Sequence, residues 1–414
     1  MHTVFERSDR LPQQGGSSTS IGTRSVKALG ANPALDGLRG IAWAAVFLGH
    51  VQPFSSIAPA DTGMFIFFAL SGFLITYLAV REYAFSGRID MAAFIRRRVV
   101  RLVPALAVFL IVWMVVSAAF TGHVWLTTVP QGGPGQVMGL GTVLEAAAAA
   151  LTYVMNWAVI FNWFSGYVPI GHIWSLAIEM QFYLIWVSIL AVIFRYGRHA
   201  ALRLAVAGSL LASADVILLT HLGLGGLRVY MGTDTRAGTL LAGSAAALFW
   251  SHSKRELKDS KILPPLALVS VGVILWSGYA LQKSQLSVGG QMAWPLTALA
   301  CATTIIYLVE RPDTLLGRIA TGRVIKYLGK RSYALYLWHY VWLTWFRSLG
   351  FPGIAAGLIM SLITAELSWR LVEEPASKWR QAGRKGSRQA NLSDKGVGKA
   401  QRAGMPRLQM ELGR

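Results

Sequence analysis

Long apolar runs separated by short polar or basic stretches make up most of this chain. Each run has about 17–22 residues, which is enough for an α-helix to cross a hydrocarbon core about 30 Å thick. The pattern predicts an all-α, polytopic transmembrane helix bundle of about ten spans. The predicted spans cover roughly residues 37–54, 62–80, 99–120, 174–194, 201–221, 236–251, 263–281, 291–309, 333–349 and 354–372.

A further apolar stretch, residues 143–161, is assigned from the distribution of positive charge. Lys and Arg concentrate in cytoplasmic loops, and the basic loops at 81–101 and 195–203 share one side only if this stretch does not cross fully. We therefore expect residues 121–173 to be anchored outside, with a re-entrant course as one option. Both termini are then cytoplasmic. The QGGPGQ sequence at 131–136 and the polar residues 162–172 suit a non-helical backbone that lines a cavity.

Composition agrees with a membrane protein. Hydrophobic residues make up 54% of the chain and charged residues only 14%, whereas soluble proteins carry about 25% charged residues. We expect a multi-pass protein of the cell inner (plasma) membrane, with the lipid bilayer as a partner. The net charge of +20 is interpreted as cytoplasmic loops and tails rather than a nucleic-acid surface, because the basic residues are spread out.

Three regions follow from these patterns. Residues 1–34 are polar and predict a disordered cytoplasmic N-terminus without a signal peptide, and residues 35–374 form the transmembrane domain. Residues 375–414 predict a basic, disordered cytoplasmic tail that contacts anionic headgroups. The single cysteine, Cys301, excludes an intrachain disulfide. The spacing of ligand-type residues predicts no metal site, and we expect no permanently bound cofactor.

Ionisable residues at membrane depth are candidates for function because burying them is costly. Arg39 and His50 lie eleven positions apart in the first span, so they share one helical face and are separated by roughly 16 Å. Arg39 is expected near the cytoplasmic end and His50 in the outer half. At neutral pH a histidine can take a proton from a hydroxyl, but His50 could also serve packing through a hydrogen bond within the bundle.

The fourth span carries a second polar group, His172, Ser175 and Glu179. His172 and Glu179 are seven residues apart on nearly one face, and Ser175 and Glu179 form an i,i+4 pair. The predicted topology places Glu179 in the same half of the membrane as His50. A buried carboxylate needs a partner or a proton, so Glu179 could orient the His50 ring. A structural buried ion pair is the alternative.

Four other positions have two interpretations each. Asp234 and Arg236, at the outer end of the sixth span, could orient an acceptor or pair with each other. Ser71 could be a nucleophile, although close helix packing is favoured. His339, expected in the inner half of its span, could line a donor tunnel or have a structural role.

Arg98 and Arg101 lie three positions apart in FIRRRVVRLVP, at the inner boundary of the third span. The planar guanidinium group binds phosphate through two parallel hydrogen bonds. A cytoplasmic phosphate-bearing donor such as acyl-coenzyme A would meet these arginines first. Taken alone, these arginines are better explained by ordinary positive-inside anchoring.

Six strings together resemble the acyltransferase 3 family of integral-membrane O-acyltransferases. They are LDGLRGIA with the later His50, FFALSGFLIT, RRRVVRLVP, WSLAIEMQFYL, DTRAGTLLAG and SYALYLWH. The resemblance implies an acyl-CoA donor on the cytoplasmic side and O-acylation, such as O-acetylation, of sugars in surface polysaccharide, lipid-linked glycans, peptidoglycan or glycosylated metabolites. It also implies that His50 is the catalytic base, that Glu179 supports it, and that Arg98 and Arg101 bind donor phosphate. Because the chain ends in a short basic tail, no relay to a second catalytic domain is expected.

The sequence therefore predicts an acyl-CoA-dependent O-acyltransferase that modifies a sugar-containing acceptor of the cell envelope or a glycosylated metabolite. Two alternatives remain. A transporter of a glycan or polar metabolite would also use intramembrane His, Glu and Asp, although no inverted repeat is visible. A lipid-linked sugar polymerase or ligase is the other. Catalysis is assigned to His50 and Glu179, and donor binding to Arg98, Arg101 and Arg39. Acceptor binding or support is assigned to His172, Ser175, Asp234, Arg236, Ser71 and His339.

Overall fold

The computed structural model of the chain is almost entirely helical. It describes residues 26–30, 32–51, 55, 60–121, 126–127, 136–137, 140–164, 168, 170–253, 257–283 and 288–378. The α-helices are α1 (Pro33–Gly49), α2 (Ala60–Ser86), α3 (Met91–Thr121), α4 (Leu140–Leu151), α5 (Met155–Ile160), α6 (Trp174–Ile193), α7 (Arg198–His221), α8 (Leu227–Met231), α9 (Thr233–His252), α10 (Leu263–Lys283), α11 (Val288–Glu310), α12 (Leu315–Ala320), α13 (Arg323–Lys330), α14 (Ser332–Trp345) and α15 (Phe351–Ser368).

Shorter elements connect these helices. Single 3₁₀ turns occupy Gly171–Ile173, Phe194–Tyr196, Leu257–Asp259 and Arg347–Leu349, and a π-helical turn at Trp369–Glu373 continues α15. Two strands of two residues, β1 (Leu126–Thr127) and β2 (Gln136–Val137), pair antiparallel with Leu126 opposite Val137. This small ladder is an exception to the otherwise all-helical prediction.

Seven of the described helices are long and apolar enough to cross a membrane. All ten predicted spans coincide with a helix, and the three outside the seven are α1, α9 and α14. The helices α1 and α14 have only 17 and 14 residues, and α9 contains several Thr, Ser, Gly and charged residues. The chain is thus a multi-pass membrane protein with an all-helical body.

The ambiguous apolar stretch is broken into two short helices. The backbone of Tyr153 adopts φ 56° between α4 and α5, a left-handed conformation that interrupts a helix. The 12 residues of α4 extend about 18 Å, well short of a hydrocarbon core of about 30 Å. This geometry supports the expectation that the stretch does not cross fully. Residues 131–135, expected to be non-helical, lie outside the described residues.

The helix α1 is capped at its start and locked along one side. The side chain of Asn32 accepts a hydrogen bond from the Ala34 N–H at 3.1 Å, next to Pro33 in the first turn. A Cβ on Gly37 would lie 1.7 Å from the Ala320 carbonyl oxygen, and one on Gly40 2.2 Å from that of Ile325. The α1 backbone therefore rests directly on α12 and α13, which fixes the rotation of α1.

The helices α2 and α9 are in similarly close contact. A Cβ on Gly72 would lie 1.9 Å from the Leu240 carbonyl oxygen, and a Cβ on Gly243 1.9 Å from that of Ala69. Small residues permit such backbone approach between membrane helices. The central position of α2 matters for function, because it carries Ser71 near its middle and Asp61 in its first turn.

Part of the predicted N-terminal arm contacts the helical body. Leu29 is buried, and its N–H donates to the Tyr77 hydroxyl at 2.8 Å. The ammonium group of Lys27 forms an ion pair with Glu310 of α11. Residues 1–25 and the tail after Lys378 lie outside the described residues, so the expected disorder of both arms is not addressed by the structure.

Candidate active site

Three arginines surround a cavity of ≈ 130 Å³ near the N-terminal halves of α1 and α3. Arg39 comes from α1, and Arg98 and Arg101 come from the first half of α3. We call this space the arginine cavity; its wall also includes Leu29, Gly30, Asn32, Asp36, Ser71, Tyr77 and Tyr183. The structure thus brings together all three residues that the sequence assigned to donor binding.

Aromatic rings and carboxylates hold the arginines. The guanidinium carbon of Arg98 lies 5.7 Å from the Phe94 ring centroid and 5.3 Å from that of Tyr183, which are cation–π distances. The charge of Arg39 interacts with that of Arg101 and with the carboxylates of Asp36 and Glu179. A cluster with more guanidinium than carboxylate groups around a small cavity is chemically suited to a phosphate group.

Glu179 lies beside the arginine cavity and binds two residues of its wall. The Ser71 hydroxyl donates to its Oε1 at 2.7 Å, and the Tyr183 hydroxyl donates to its Oε2 at 3.0 Å. Both donors line the cavity, and Arg39 and Arg101 act on the carboxylate electrostatically. The described hydrogen bonds of Glu179 therefore run to Ser71 and Tyr183, and not to His50, the partner expected from the sequence. The Ser71 hydroxyl is used as a donor to a carboxylate.

Three histidines meet at the other end of α1. The ring centroid of His50 lies 5.3 Å from that of His339 and 5.0 Å from that of Tyr340. The His172 ring lies 5.7 Å from the His339 ring. We call His50, His172 and His339 the histidine cluster. The expectation that His339 lies in the inner half of its span does not agree with its position beside His50, which was expected in the outer half.

Backbone carbonyls fix the tautomers of the cluster. The Nδ1 of His50 lies 2.8 Å from the Val46 oxygen, and that of His339 lies 2.8 Å from the Tyr336 oxygen. A carbonyl oxygen only accepts, so Nδ1–H donates in both neutral rings and Nε2 is left to accept a proton. His339 is fully buried, whereas His50 is exposed. His50 is therefore the exposed member of the cluster.

Two hydroxyl groups in contact, those of Ser175 and Tyr336, lie between the two regions. The Tyr336 hydroxyl donates to the His172 carbonyl oxygen at 2.6 Å and lies 2.7 Å from the Ser175 Oγ. Ser175 is one helical turn before Glu179 on α6. Sequence analysis missed Tyr336 as a functional candidate, although it lies in the SYALYLWH string.

Asp234 and Arg236 bind other partners rather than each other. Asp234 accepts two hydrogen bonds from Arg228, one of them at 2.8 Å. The fully buried Arg236 reaches Asp61 at 3.4 Å, and its Nε donates to the Tyr230 carbonyl oxygen at 2.7 Å. The interpretation that Asp234 and Arg236 pair with each other is therefore wrong. Sequence analysis missed Asp61; the available signal was an acidic residue in the first turn of a span.

Comparison with known proteins places this arrangement in a family. Peptidoglycan O-acetyltransferase OatA of Listeria monocytogenes is 30% identical over 84% of this chain and 56% of its own length. O-acetyltransferase OatA of Staphylococcus aureus is 30% identical over 84% of the chain and 57% of its own length. The putative peptidoglycan O-acetyltransferase YrhL of Bacillus subtilis is 33% identical over 83% and 54%.

The chain thus spans little more than half of the length of these relatives. No solved structure is significantly similar to it. The model of the family described as "Acyltransferase domain" matches residues 32–370, from the first residues of α1 to the end of the bundle. Because this match covers most of the chain, the protein belongs to the acyltransferase 3 family.

Proposed function

We propose that the protein is a membrane O-acyltransferase that moves an acyl group from acyl-coenzyme A to a hydroxyl of a sugar-containing acceptor. The similarity to peptidoglycan O-acetyltransferases supports a glycan acceptor such as peptidoglycan. The observation that carries the proposal is a series of polar side chains inside the bundle, which we call the polar path: Glu179 beside the arginine cavity, Ser175 one helical turn earlier on α6, and Tyr336, whose hydroxyl lies 2.7 Å from the Ser175 Oγ and contacts the His172 carbonyl oxygen. These groups lie between a phosphate-type site and a proton acceptor.

The donor binds first at the arginine cavity in this proposal. Ligand pockets for drug-sized molecules are about 300–1,000 Å³, whereas the cavity measures ≈ 130 Å³. The cavity is therefore suited to a phosphate group, and the rest of the coenzyme extends beyond it. Arg39, Arg98 and Arg101 hold the phosphate by charge-assisted hydrogen bonds, and the thioester reaches toward the histidines.

His50 acts as the general base. Its Nε2 takes the proton of the acceptor hydroxyl as that oxygen attacks the thioester carbonyl carbon. The new C–O bond forms, the C–S bond breaks, and the released thiolate takes up a proton. The products are the acylated sugar and coenzyme A. Glu179 supports the reaction from the donor side, where it is held by Ser71 and Tyr183.

The same proposal assigns ten spans, with α1, α9 and α14 added to the seven apolar helices, in the inner (plasma) membrane. Both termini lie in the cytoplasm, as the basic 81–101 loop and the basic tail favour. The arginine cavity then opens toward the cytoplasm, where acyl-coenzyme A is found, and the histidine cluster lies in the outer half. The acceptor approaches His50 from outside.

The decisive experiment compares His50→Gln with the wild-type protein. Purified protein in liposomes receives radiolabelled acyl-coenzyme A and a sugar acceptor, and labelled product is counted. Removing a general base costs about 10²–10⁴ in rate, so we expect a loss in that range. His199→Gln, which changes an exposed histidine at the start of α7, is the matched control and retains activity. Normal activity of His50→Gln would reject His50 as the base, and absence of acyl transfer by the wild type would favour transport.

A further inference from the structure

The histidine cluster needs a carboxylate that Glu179 does not supply. Both oxygens of Glu179 accept hydrogen bonds within the arginine cavity, and the charges that act on it are those of Arg39 and Arg101. An imidazole that takes a proton in a low-dielectric site becomes a cation, and a nearby carboxylate stabilises that cation. A different carboxylate must therefore act on His50.

The close contact between α1 and α2 brings a second carboxylate, that of Asp61, to the His50 end of α1. Gly49 is the last residue of α1, and a Cβ on it would lie 2.1 Å from the backbone nitrogen of Ala60, the first residue of α2. Only glycine allows two backbones to approach this closely. The residue that follows Gly49 is His50, and the one that follows Ala60 is Asp61. The crossing therefore brings the segments that carry the His50 imidazole and the Asp61 carboxylate to the same end of the bundle.

Asp61 is anchored by the buried Arg236. Its Oδ1 lies 3.4 Å from Nη2 of Arg236, whose side chain is fully buried. The Arg236 guanidinium carbon is 4.6 Å from the Tyr230 ring centroid and 4.4 Å from that of Trp294. These rings and the Tyr230 carbonyl fix the guanidinium, so the carboxylate that it holds is fixed too.

Asp61 also remains accessible and acts on His50. Its side chain is 21% exposed. Asp61 acts electrostatically on the His50 ring, whereas both oxygens of Glu179 are bound by Ser71 and Tyr183. Among the described residues, the other ionisable groups that face the ring are His339 and Tyr340 from α14.

We propose that Asp61, anchored by Arg236, is the positioning carboxylate of the catalytic histidine, which it supports from the first turn of α2 by stabilising the His50 imidazolium. This inference rests on the proposed function of His50 as the base. It assigns Asp61 to the acceptor side of the reaction and leaves Glu179 to the donor side. Asp61 acts through His50 and exchanges no proton with the substrate.

The test measures how His50 reacts with diethyl pyrocarbonate as a function of pH, because only the neutral ring is modified. Mass spectrometry of the peptide that contains His50 gives the pH midpoint without any assay of activity. Loss of the Asp61 charge makes the imidazolium less stable, so in Asp61→Asn the midpoint moves to lower pH, by about half a unit or more. Glu179→Gln and the exposed control Asp259→Asn leave the midpoint at the wild-type value.

Activity gives the second readout. In Asp61→Asn the acid limb of the pH profile moves in the same direction, kcat falls about tenfold, and the KM for acyl-coenzyme A is unchanged. Should Asp61→Asn leave Arg236 unpaired and fail to fold, Asp61→Asn/Arg236→Met removes both charges and carries the same expectation.

An unchanged midpoint in both Asp61 variants, or a shift in Glu179→Gln as large as in Asp61→Asn, overturns the inference. This failure is distinct from that of the proposed function. Retained activity of His50→Gln would reject His50 as the base even if the midpoint moved as expected.

Discussion

The arginine cavity and the histidine cluster lie at opposite ends of α1 and are built by different means. In the arginine cavity, side chains bind side chains: Ser71 and Tyr183 donate to Glu179, and charges of both signs lie close together. In the histidine cluster, backbone carbonyls hold neutral rings, as Val46 holds His50. Fixed charge suits the binding of a charged donor, whereas a neutral ring with one free nitrogen suits proton transfer.

The helix α2 ties these regions together, and the largest expected effect comes from disturbing it. Gly72→Ala places a Cβ 1.9 Å from the Leu240 carbonyl oxygen, so α2 and α9 must separate. We expect the free energy of unfolding to fall by roughly 2–4 kcal/mol, and coenzyme A binding and His50 reactivity to decline together. Unfolding in detergent, followed by circular dichroism, measures the change.

Gly272→Ala is the matched control for Gly72→Ala. Gly272 lies in α10, where an added Cβ would have no neighbour within 4 Å, so stability changes by no more than about 0.5–1 kcal/mol. Equal destabilisation by the two substitutions would contradict the close contact between α2 and α9. Loss of coenzyme A binding alone, with His50 reactivity intact, would show that the two regions do not depend on a common helix.

An intermediate effect is expected from a change confined to one region. Arg98→Gln removes a guanidinium from the arginine cavity, and a lost charge-assisted contact of about 1.5 kcal/mol raises the dissociation constant for coenzyme A about tenfold. The pH midpoint of His50 modification stays unchanged, because Arg98 is not among the groups that act on His50. Isothermal titration calorimetry in detergent measures the binding.

Arg96→Gln separates donor binding from general positive charge. Arg96 lies two residues earlier on α3 and is exposed, so it contributes to positive-inside anchoring without lining the cavity. We expect the dissociation constant of Arg96→Gln for coenzyme A to stay within about twofold of the wild-type value. If Arg96→Gln and Arg98→Gln weaken binding equally, the arginines act as an anchor and the donor site lies elsewhere.

Much of the helical body could be predicted, because apolar runs report burial in lipid directly. Each of the ten predicted segments overlaps a helix, and seven of these helices are long and apolar enough to cross a membrane. The count of ten spans and the partial crossing of 143–161 stay predictions. The break at Tyr153 could not be located, because nothing in its sequence marks the left-handed backbone there. The end of α14 could not be located either. The predicted span runs to residue 349, whereas α14 ends at Trp345 and a 3₁₀ turn follows. Aromatic residues suit both a span and its boundary, so they do not mark where the helix ends.

The arginines were predicted as a group because cytoplasmic charge and helical spacing both pointed to them. The sequence paired Glu179 with His50, whereas the structure pairs it with Ser71 and Tyr183. Hydropathy indicates depth in a membrane but not how a helix is rotated about its axis. The contacts of Gly37 and Gly40 with α12 and α13 determine the rotation of α1, which carries His50, and they involve residues distant in sequence. Asp61 was missed because acidic residues are common at the ends of spans, so its position in the first turn is a weak signal without the contact to Arg236.

The smallest expected effect concerns the hydrogen bond between Ser175 and Tyr336, which lies between the arginine cavity and the histidine cluster. Tyr336→Phe and Ser175→Ala each remove one partner of the 2.7 Å contact between α14 and α6. We expect each to lower the free energy of unfolding by about 1 kcal/mol, and the double variant to lose about 0.5–1 kcal/mol less than the sum. Ser188→Ala on the exposed side of α6 is the control and combines additively with Tyr336→Phe. Additivity of Ser175→Ala with Tyr336→Phe would mean that the polar path is interrupted there, and that donor and acceptor sites communicate only through the backbones of α1 and α2.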